Sequence, residues 1–208
     1  KSYNVVNGKI QILDNFSLEL QSGSVTALWG ASGSGKTTIL NILGSFDTPD
    51  EGEVTLGDCS IPSLRGKKLA EFRRNDIAVI WQENNLITEL TALENIMIGL
   101  QKHADSKTYE LLETYAQRLG VSDLLNKFPG QLSGGERQRI SILRAVIKRP
   151  KMILADEPTA NLDWKNALEV FNIFLELVKE LKCILLVATH DERIAKMCDR
   201  TINLQAMA

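Results

Sequence analysis

An α/β fold with a mainly parallel sheet, an antiparallel β layer at its N-terminus and an inserted α-helical subdomain is predicted by three features of the chain. Short apolar runs, Val25 to Trp29, Ile77 to Ile80, Met152 to Ala155 and Ile184 to Val187, have the unbroken hydrophobicity of strands buried on both faces. Helical spacing separates them at lengths that suit βαβ units. From Trp81 to about Arg149 the strand signal disappears while helical periodicity continues.

Taken in order, the chain opens on Val5-Val6-Asn7-Gly8-Lys9-Ile10, where an Asn-Gly pair between apolar residues signals a hairpin. Phe16, Leu18 and Leu20 alternate with Ser17 and Glu19, which predicts another half-buried strand before Ser22-Gly23 turns into the run from Val25. A helix-like stretch follows from Ile39 to Leu43. Thr48-Pro49-Asp50-Glu51-Gly52 is a turn, and Val54-Thr55-Leu56 returns to strand. Leu64 to Arg74 reads as a basic surface helix. Thr91 to Leu100, Tyr109 to Leu119 and Gly135 to Ile147 have helical spacing, the last entered from a Ser-Gly-Gly turn, and Leu162 to Leu181 is helical between the last two buried runs. At 208 residues the chain suits one domain. Residues 1–82 and 150–208 form its α/β core with the N-terminal β layer, and residues 83–149 form the helical subdomain.

Composition narrows the function. With 24 Lys+Arg against 26 Asp+Glu, the net charge of -2 excludes a broad basic footprint, so no nucleic acid is expected as partner. No run of eighteen apolar residues exists to span a membrane, and the first residues carry no signal-peptide h-region. The three cysteines, Cys59, Cys183 and Cys198, form no C-x-x-C pair and read as small apolar filler in a reducing compartment. His103, beside Ala104-Asp105-Ser106, reads as solvated.

The stretch that decides the chemistry is Gly30-Ala31-Ser32-Gly33-Ser34-Gly35-Lys36-Thr37-Thr38, set between a buried strand and a helix. It fits G-x-x-x-x-G-K-[ST], a phosphate cradle: the glycines let backbone N–H groups wrap an anion, Lys36 reaches the β- and γ-phosphates, and the Thr37 hydroxyl ligates Mg²⁺. Thr38 adds a phosphate contact. This is the P-loop NTPase core. The second decisive run, Met152 to Pro158, ends four apolar residues with Asp156-Glu157 at a strand's C-terminal end, where open α/β sheets place ligands. Asp156 holds Mg²⁺, and Glu157, one residue on, points toward the γ-phosphate and takes a proton from attacking water. A third run, Leu132-Ser133-Gly134-Gly135-Glu136-Arg137-Gln138, aims a hydroxyl and free N–H groups from a helix start at an anion; alone, such a turn is also an ordinary helix N-cap.

Phosphate loop, Gln82, Leu132 to Glu136, Asp156-Glu157 and His190, in that order, resemble the ATP-binding cassette (ABC) family over nearly the whole chain. The resemblance implies an ATPase that forms a head-to-tail homodimer on ATP binding, each ATP lying between one copy's phosphate loop and the other's Ser133, Gly134, Gly135 and Glu136. It further implies that Tyr3 stacks on adenine, Gln82 couples Mg²⁺ and water to the helical insertion, His190 contacts the γ-phosphate, and Asp163 links the two sites. Leu40 to Gly44, Thr91 to Ile96 and Leu154 to Asp163 are similar to the macrolide-export and lipoprotein-release branch, and the short chain to small bacteriocin-exporter ATPases. That branch implies separate transmembrane permease subunits and a place on the inner face of the cell membrane. Leu86, Ile87, Leu90, Leu93 and Met97 either line a groove for a permease helix or pack a core. Trp29, Leu143 and Ala160 depart from the family's usual residues. A clamp on DNA or ribosomes would need long coiled-coil or basic insertions, and a P-loop kinase has no reason to carry Ser133-Gly134-Gly135.

Overall fold

The computed structural model describes residues 1–6, 8–100 and 105–204. Asn7 of the hairpin turn and His103 lie outside them. The centre is a five-stranded sheet in which every pairing is parallel: β3 (Val25–Trp29), β6 (Ile77–Ile80), β7 (Met152–Asp156), β8 (Ile184–Thr189) and β9 (Arg200–Asn203), ordered β6-β7-β8-β3-β9. Period-two alternation splits the sheet's side chains between two cores. Ile153 and Ala155 of β7 and Leu185 and Val187 of β8 join Ile140, Leu143, Phe171 and Phe174 on one face. Met152, Leu154, Ile184, Leu186 and Ala188 join Ile39 and Leu40 on the other. Helices α5 (Gly134–Val146) and α6 (Trp164–Leu181) thus cover the first face and α1 (Lys36–Leu43) the second, as parallel strands buried on both sides require.

Between β6 and β7 the described residues contain helices and no strand: α3 (Ala92–Met97), α4 (Ser106–Arg118) and α5, with single 3₁₀ turns among them. Helix α2 (Gly66–Asn75) precedes β6, and the short α7 (Glu192–Ala195) follows β8. The antiparallel layer is two separate hairpins, β1 (Ser2–Val5) with β2 (Gly8–Gln11) and β4 (Thr55–Leu56) with β5 (Cys59–Ser60). Val5 pairs with Gly8, so the glycine opens β2 instead of sitting inside the turn.

The strand expected over Phe16 to Leu20 is absent. Phe16, Leu18 and Leu20 are half-buried and Ser17 and Glu19 exposed, as the alternation demanded, yet the segment has no ladder partner. Its apolar side chains pack on the α1-side core instead, which satisfies the pattern without sheet hydrogen bonds. Cys183 and Cys198 belong to the opposite core, and burial pushes their thiols up to about 11 and about 12, as inert apolar filler requires. No helix of the described residues is long and apolar enough to cross a membrane.

Candidate functional site

Strand register decides where the site lies. Trp29 of β3 stands beside Thr189 of β8, and Asp156 of β7 stands beside Ala188. Gly30, Glu157 and His190 therefore leave the sheet at nearly one level of its C-terminal edge. The oversized Trp29 is absorbed as a brace, its Nε1 donating to His190 O at 3.3 Å.

Gly35 caps α1 in the left-handed region at φ 93, and a Cβ there would lie 3.1 Å from Ile12 Cγ2, so backbone and space both demand glycine. The first turn of α1 carries no acidic residue and no side-chain cap, which leaves its N–H groups for an anion. Lys36, only 8% exposed, curls over the loop: Nζ donates to Gly30 O at 2.7 Å and Ala31 O at 2.9 Å. All of Ala31 to Thr38 except Ser34, together with Tyr3, Gln82, Asp156, Glu157 and His190, line one cleft of about 690 Å³. Ser34 Oγ is buried without a hydrogen-bond partner among the described residues. Tyr3, 36% exposed, donates from its hydroxyl to Asp47 Oδ2 at 2.6 Å and leaves its ring at the cleft.

Thr37 Oγ1 donates to Asp156 Oδ2 at 3.2 Å, so the two residues expected at the metal meet. Burial pushes the Asp156 carboxyl above the usual carboxylate range; Thr37 pulls it down, the Glu157 charge pushes it up and the Lys36 charge pulls it down. Among the described residues no cluster of three or more His, Cys, Asp or Glu could hold a metal alone. A hydroxyl, one carboxylate and the Gln82 amide are hard oxygen donors, and they fit Mg²⁺, which keeps several waters and phosphate oxygens of its own.

Glu157 is held more firmly than its neighbour. Its backbone turns at φ 48, uncommon for a residue with a Cβ, and its N–H donates to Ala188 O at 2.9 Å. The side chain is 12% exposed: Oε1 accepts from His190 N at 2.9 Å and meets His190 Nδ1 at 2.6 Å, and Oε2 accepts from Thr189 Oγ1 at 3.1 Å. The His190 ring is 70% exposed on the cleft side. The sequence signalled no role for Thr189, which directly precedes His190; its hydroxyl also accepts from Asp191 N at 3.0 Å.

Ser133 to Glu136 are not in that cleft. Ser133 caps α5, its Oγ accepting from Glu136 N at 3.3 Å while Glu136 Oε2 accepts from Ser133 N at 2.6 Å. The Ser133 backbone N–H first, and then the Ser133 side chain, hold the Glu136 carboxyl below its usual range. Gly134 lines a second cleft of about 570 Å³ with Gln82, Glu83, Asn84, Arg137 and Asn161, and Gln82 is common to both clefts. A Cβ on Gly135 would lie 2.6 Å from Leu162 Cδ2, so this glycine allows close approach of the segment before α6. Asp163 caps α6, accepting from Lys165 N at 3.1 Å, Asn166 N at 3.2 Å and the Asn166 amide; the Asn166 bonds chiefly hold its carboxyl low.

Two residues that the sequence did not signal tie these parts together. Asn161 Nδ2 donates to Gln82 O at 2.8 Å. Arg144 of α5 donates to Asn85 O at 2.8 Å and Asn84 O at 2.5 Å, in a loop whose two asparagines are left-handed at φ 45 and 62. Of the apolar residues after Gln82, Leu86, Leu93 and Met97 pack on the α5-side core and Leu90 is half-buried. Ile87 faces outward at 41% exposure, fastened by Asn95, whose Oδ1 accepts from Ile87 N at 2.7 Å.

The profile of the ABC transporter family matches residues 13–160. The lipoprotein-releasing system ATP-binding protein LolD of Legionella pneumophila (strain Lens) is 39% identical over 210 residues, covering 98% of this chain and 91% of that protein. The macrolide export ATP-binding/permease protein MacB of Rhodopirellula baltica is 40% identical over 209 residues, which is 99% of this chain and 31% of that one. Among solved structures, an ATP-binding cassette in a dimeric post-hydrolysis state bound to ADP and Pi shares 34% identity at a TM-score of 0.88, covering 98% of this chain and 90% of that one. CbiO1 from Clostridium perfringens, part of an ABC transporter complex, shares 26% at 0.83, covering 97% and 81%. Family profile, relatives and fold agree with the cleft's chemistry, and the chain belongs to the ABC transporter family as an ATP-hydrolysing subunit that uses ATP with Mg²⁺.

Proposed function

We propose that two copies of this chain close on two ATP molecules, hydrolyse them in shared sites and drive separate transmembrane permease subunits in the export or extraction of a peptide, lipoprotein or drug. The names of the LolD and MacB relatives support the cargo class. Attachment to permeases puts the subunit on the cytoplasmic face of the membrane, with residues 83–149 as the helical subdomain that receives the permease and Ile87 on its outer surface.

Within the site, loop N–H groups of Gly30 to Gly35, Lys36 and Thr38 hold the phosphates, and Tyr3 stacks on adenine. Thr37, Asp156 and Gln82 hold Mg²⁺, whose charge neutralises the phosphate oxygens. Glu157 accepts a proton from the attacking water, and His190 contacts the γ-phosphate. Ser133, Gly134, Gly135 and Glu136 complete the opposite copy's site, and Asp163 links the two.

The observation that carries the reading is the grip on Glu157: a left-handed backbone, donors from His190 N and Thr189 Oγ1, and the contact with His190 Nδ1 hold a single carboxylate at the phosphate cleft. A base fixed in this way contributes a factor of about a hundred or more. Glu157→Gln is therefore expected to bind ATP, accumulate as an ATP-bound dimer by light scattering and lose at least about a hundredfold in turnover. Parent-like hydrolysis by that variant refutes the assigned base.

A further inference from the structure

The segment from Glu157 to Trp164 leaves β7 and ends at the cap of α6. Its first residue is fixed by the end of β8 through Glu157 N to Ala188 O and through the carboxylate's bonds to Thr189 and His190. Its last residue is fixed by a different contact. The Arg193 guanidinium lies over the Trp164 ring, with Cζ 3.9 Å from the ring centroid.

Arg193 is itself held in place. Its Nε donates to Asp191 Oδ1 at 3.0 Å, its Nη2 to Asp191 Oδ2 at 2.7 Å, and its backbone N–H to Asp191 Oδ1 at 2.8 Å. Asp191 N donates to Thr189 Oγ1, which in turn donates to Glu157 Oε2. The contacts close a ring: from Glu157 along the backbone to Asp163 and Trp164, across the stack to Arg193, and back through Asp191 and Thr189 to the Glu157 carboxylate.

A planar guanidinium held along its Nε/Nη2 edge by both oxygens of one carboxylate is preorganised to stack, so less side-chain freedom remains to be lost. Trp164 immediately follows Asp163, the N-cap of α6, and is the first residue of that helix. We infer that the Trp164–Arg193 stack is a positioning contact for ATP hydrolysis: it holds Asp163 and the Glu157 carboxylate in fixed relation, so that a shift at the α6 cap is transmitted to the base. Neither side chain touches the nucleotide cleft. The inference rests on Glu157 acting as the base.

The test is a double-mutant cycle on the full chain with Trp164→Ala, Arg193→Ala and the pair, read as kcat, KM for ATP and thermal midpoint. Each single change is expected to lower kcat about fivefold with KM within about twofold, because the contact acts on geometry and not on binding. The pair is expected to do no worse than the worse single, since either change breaks the same ring. Trp164→Phe, which keeps a π-face, should recover most of kcat. A Trp164→Ala kcat within about twofold of the parent, or singles that multiply in the pair, overturns the inference. A loss of kcat that follows a falling midpoint and is not recovered by Trp164→Phe also overturns it, because that pattern is structural alone. Glu157→Gln separates the two readings: if it is inactive while Trp164→Ala is normal, only the stack's role falls, and if it hydrolyses at the parent rate, both fall.

Discussion

Replacing Arg144 by methionine is expected to cost about 2 to 3 kcal/mol of stability. The guanidinium donates to two carbonyls, Asn85 O at 2.8 Å and Asn84 O at 2.5 Å, and reaches Ser141 Oγ at 3.4 Å. Hydrogen bonds to a charged group contribute about 1.5 to 3 kcal/mol each, so the two strong ones together represent about 3 to 6 kcal/mol. Burial opposes them: it lowers the Arg144 pKa, and methionine, which fills similar space, regains part of that desolvation. The balance remains a net loss because Asn84 is itself buried and its carbonyl is left without the arginine. For a domain of this size the thermal midpoint should fall by about 5 to 10 °C. Arg144→Lys should lie between, as a single ammonium cannot span both carbonyls. Denaturant titration of parent, methionine and lysine variants measures the series. A methionine variant within about 0.5 kcal/mol of the parent would refute the view that this arginine fastens the loop after Gln82 to α5.

Three other outcomes follow from the same structure. Lys148 donates to Ile77 O at 2.8 Å and Arg73 O at 3.2 Å, yet burial, with the Arg144 charge adding, lowers its pKa from 10.5 to about 8. Between those values the unfolded chain holds a proton that the folded chain has released, so stability rises with pH; denaturant titrations should show parent gaining about 1 kcal/mol on Lys148→Met from pH ~7 to ~9, and no gain would count against a buried ammonium. Gly135→Ala should cost about 1 kcal/mol, since its Cβ lands 2.6 Å from Leu162 Cδ2, and clearly less in a Leu162→Ala background if that collision is the cause. ATPase rate per subunit should climb with protein concentration, and a flat line down to nanomolar protein would argue against sites shared between copies.

Most of the sheet was legible because its strands are buried on both faces and read as unbroken apolar runs. β3 and β6 begin and end where the sequence placed them, and β7 and β8 run on by one or two residues into Asp156 and Thr189. β9 was not read, for the opposite reason. It lies at the sheet's edge, and only Ile202 of its four residues is buried, so its signal is a lone apolar residue among polar ones. Phe16 to Leu20 erred the other way: alternation reports which side chains face a core and is silent on whether a ladder partner exists. The phosphate loop and Asp156-Glu157 were readable as contiguous strings whose chemistry depends on local backbone. Thr189, Asn161 and Arg144 act through contacts to residues 32, 79 and 59 or 60 positions away, and no local pattern reports such distances.

That division has a mechanical meaning. The sheet and its two cores fix the level at which Gly30, Glu157 and His190 emerge, since a one-residue slip of a strand would exchange its side chains between two differently packed cores. Beyond the edge, position is set by single side chains: Asn161 on Gln82, Leu162 under Gly135, Arg193 over Trp164, Glu157 between Thr189 and His190. Three of these four contacts fall on residues 161–164, between the phosphate cleft and the Ser133-Gly134-Gly135 turn. Each is a contact of modest strength, and a switch needs contacts of this kind, because a segment fixed as firmly as the strands could not shift when nucleotide or a second copy arrives. The chain thus places three of these contacts in a segment that touches both Gln82 of the phosphate cleft and the Ser133-Gly134-Gly135 turn, the two surfaces that the proposed dimer would bring to ATP.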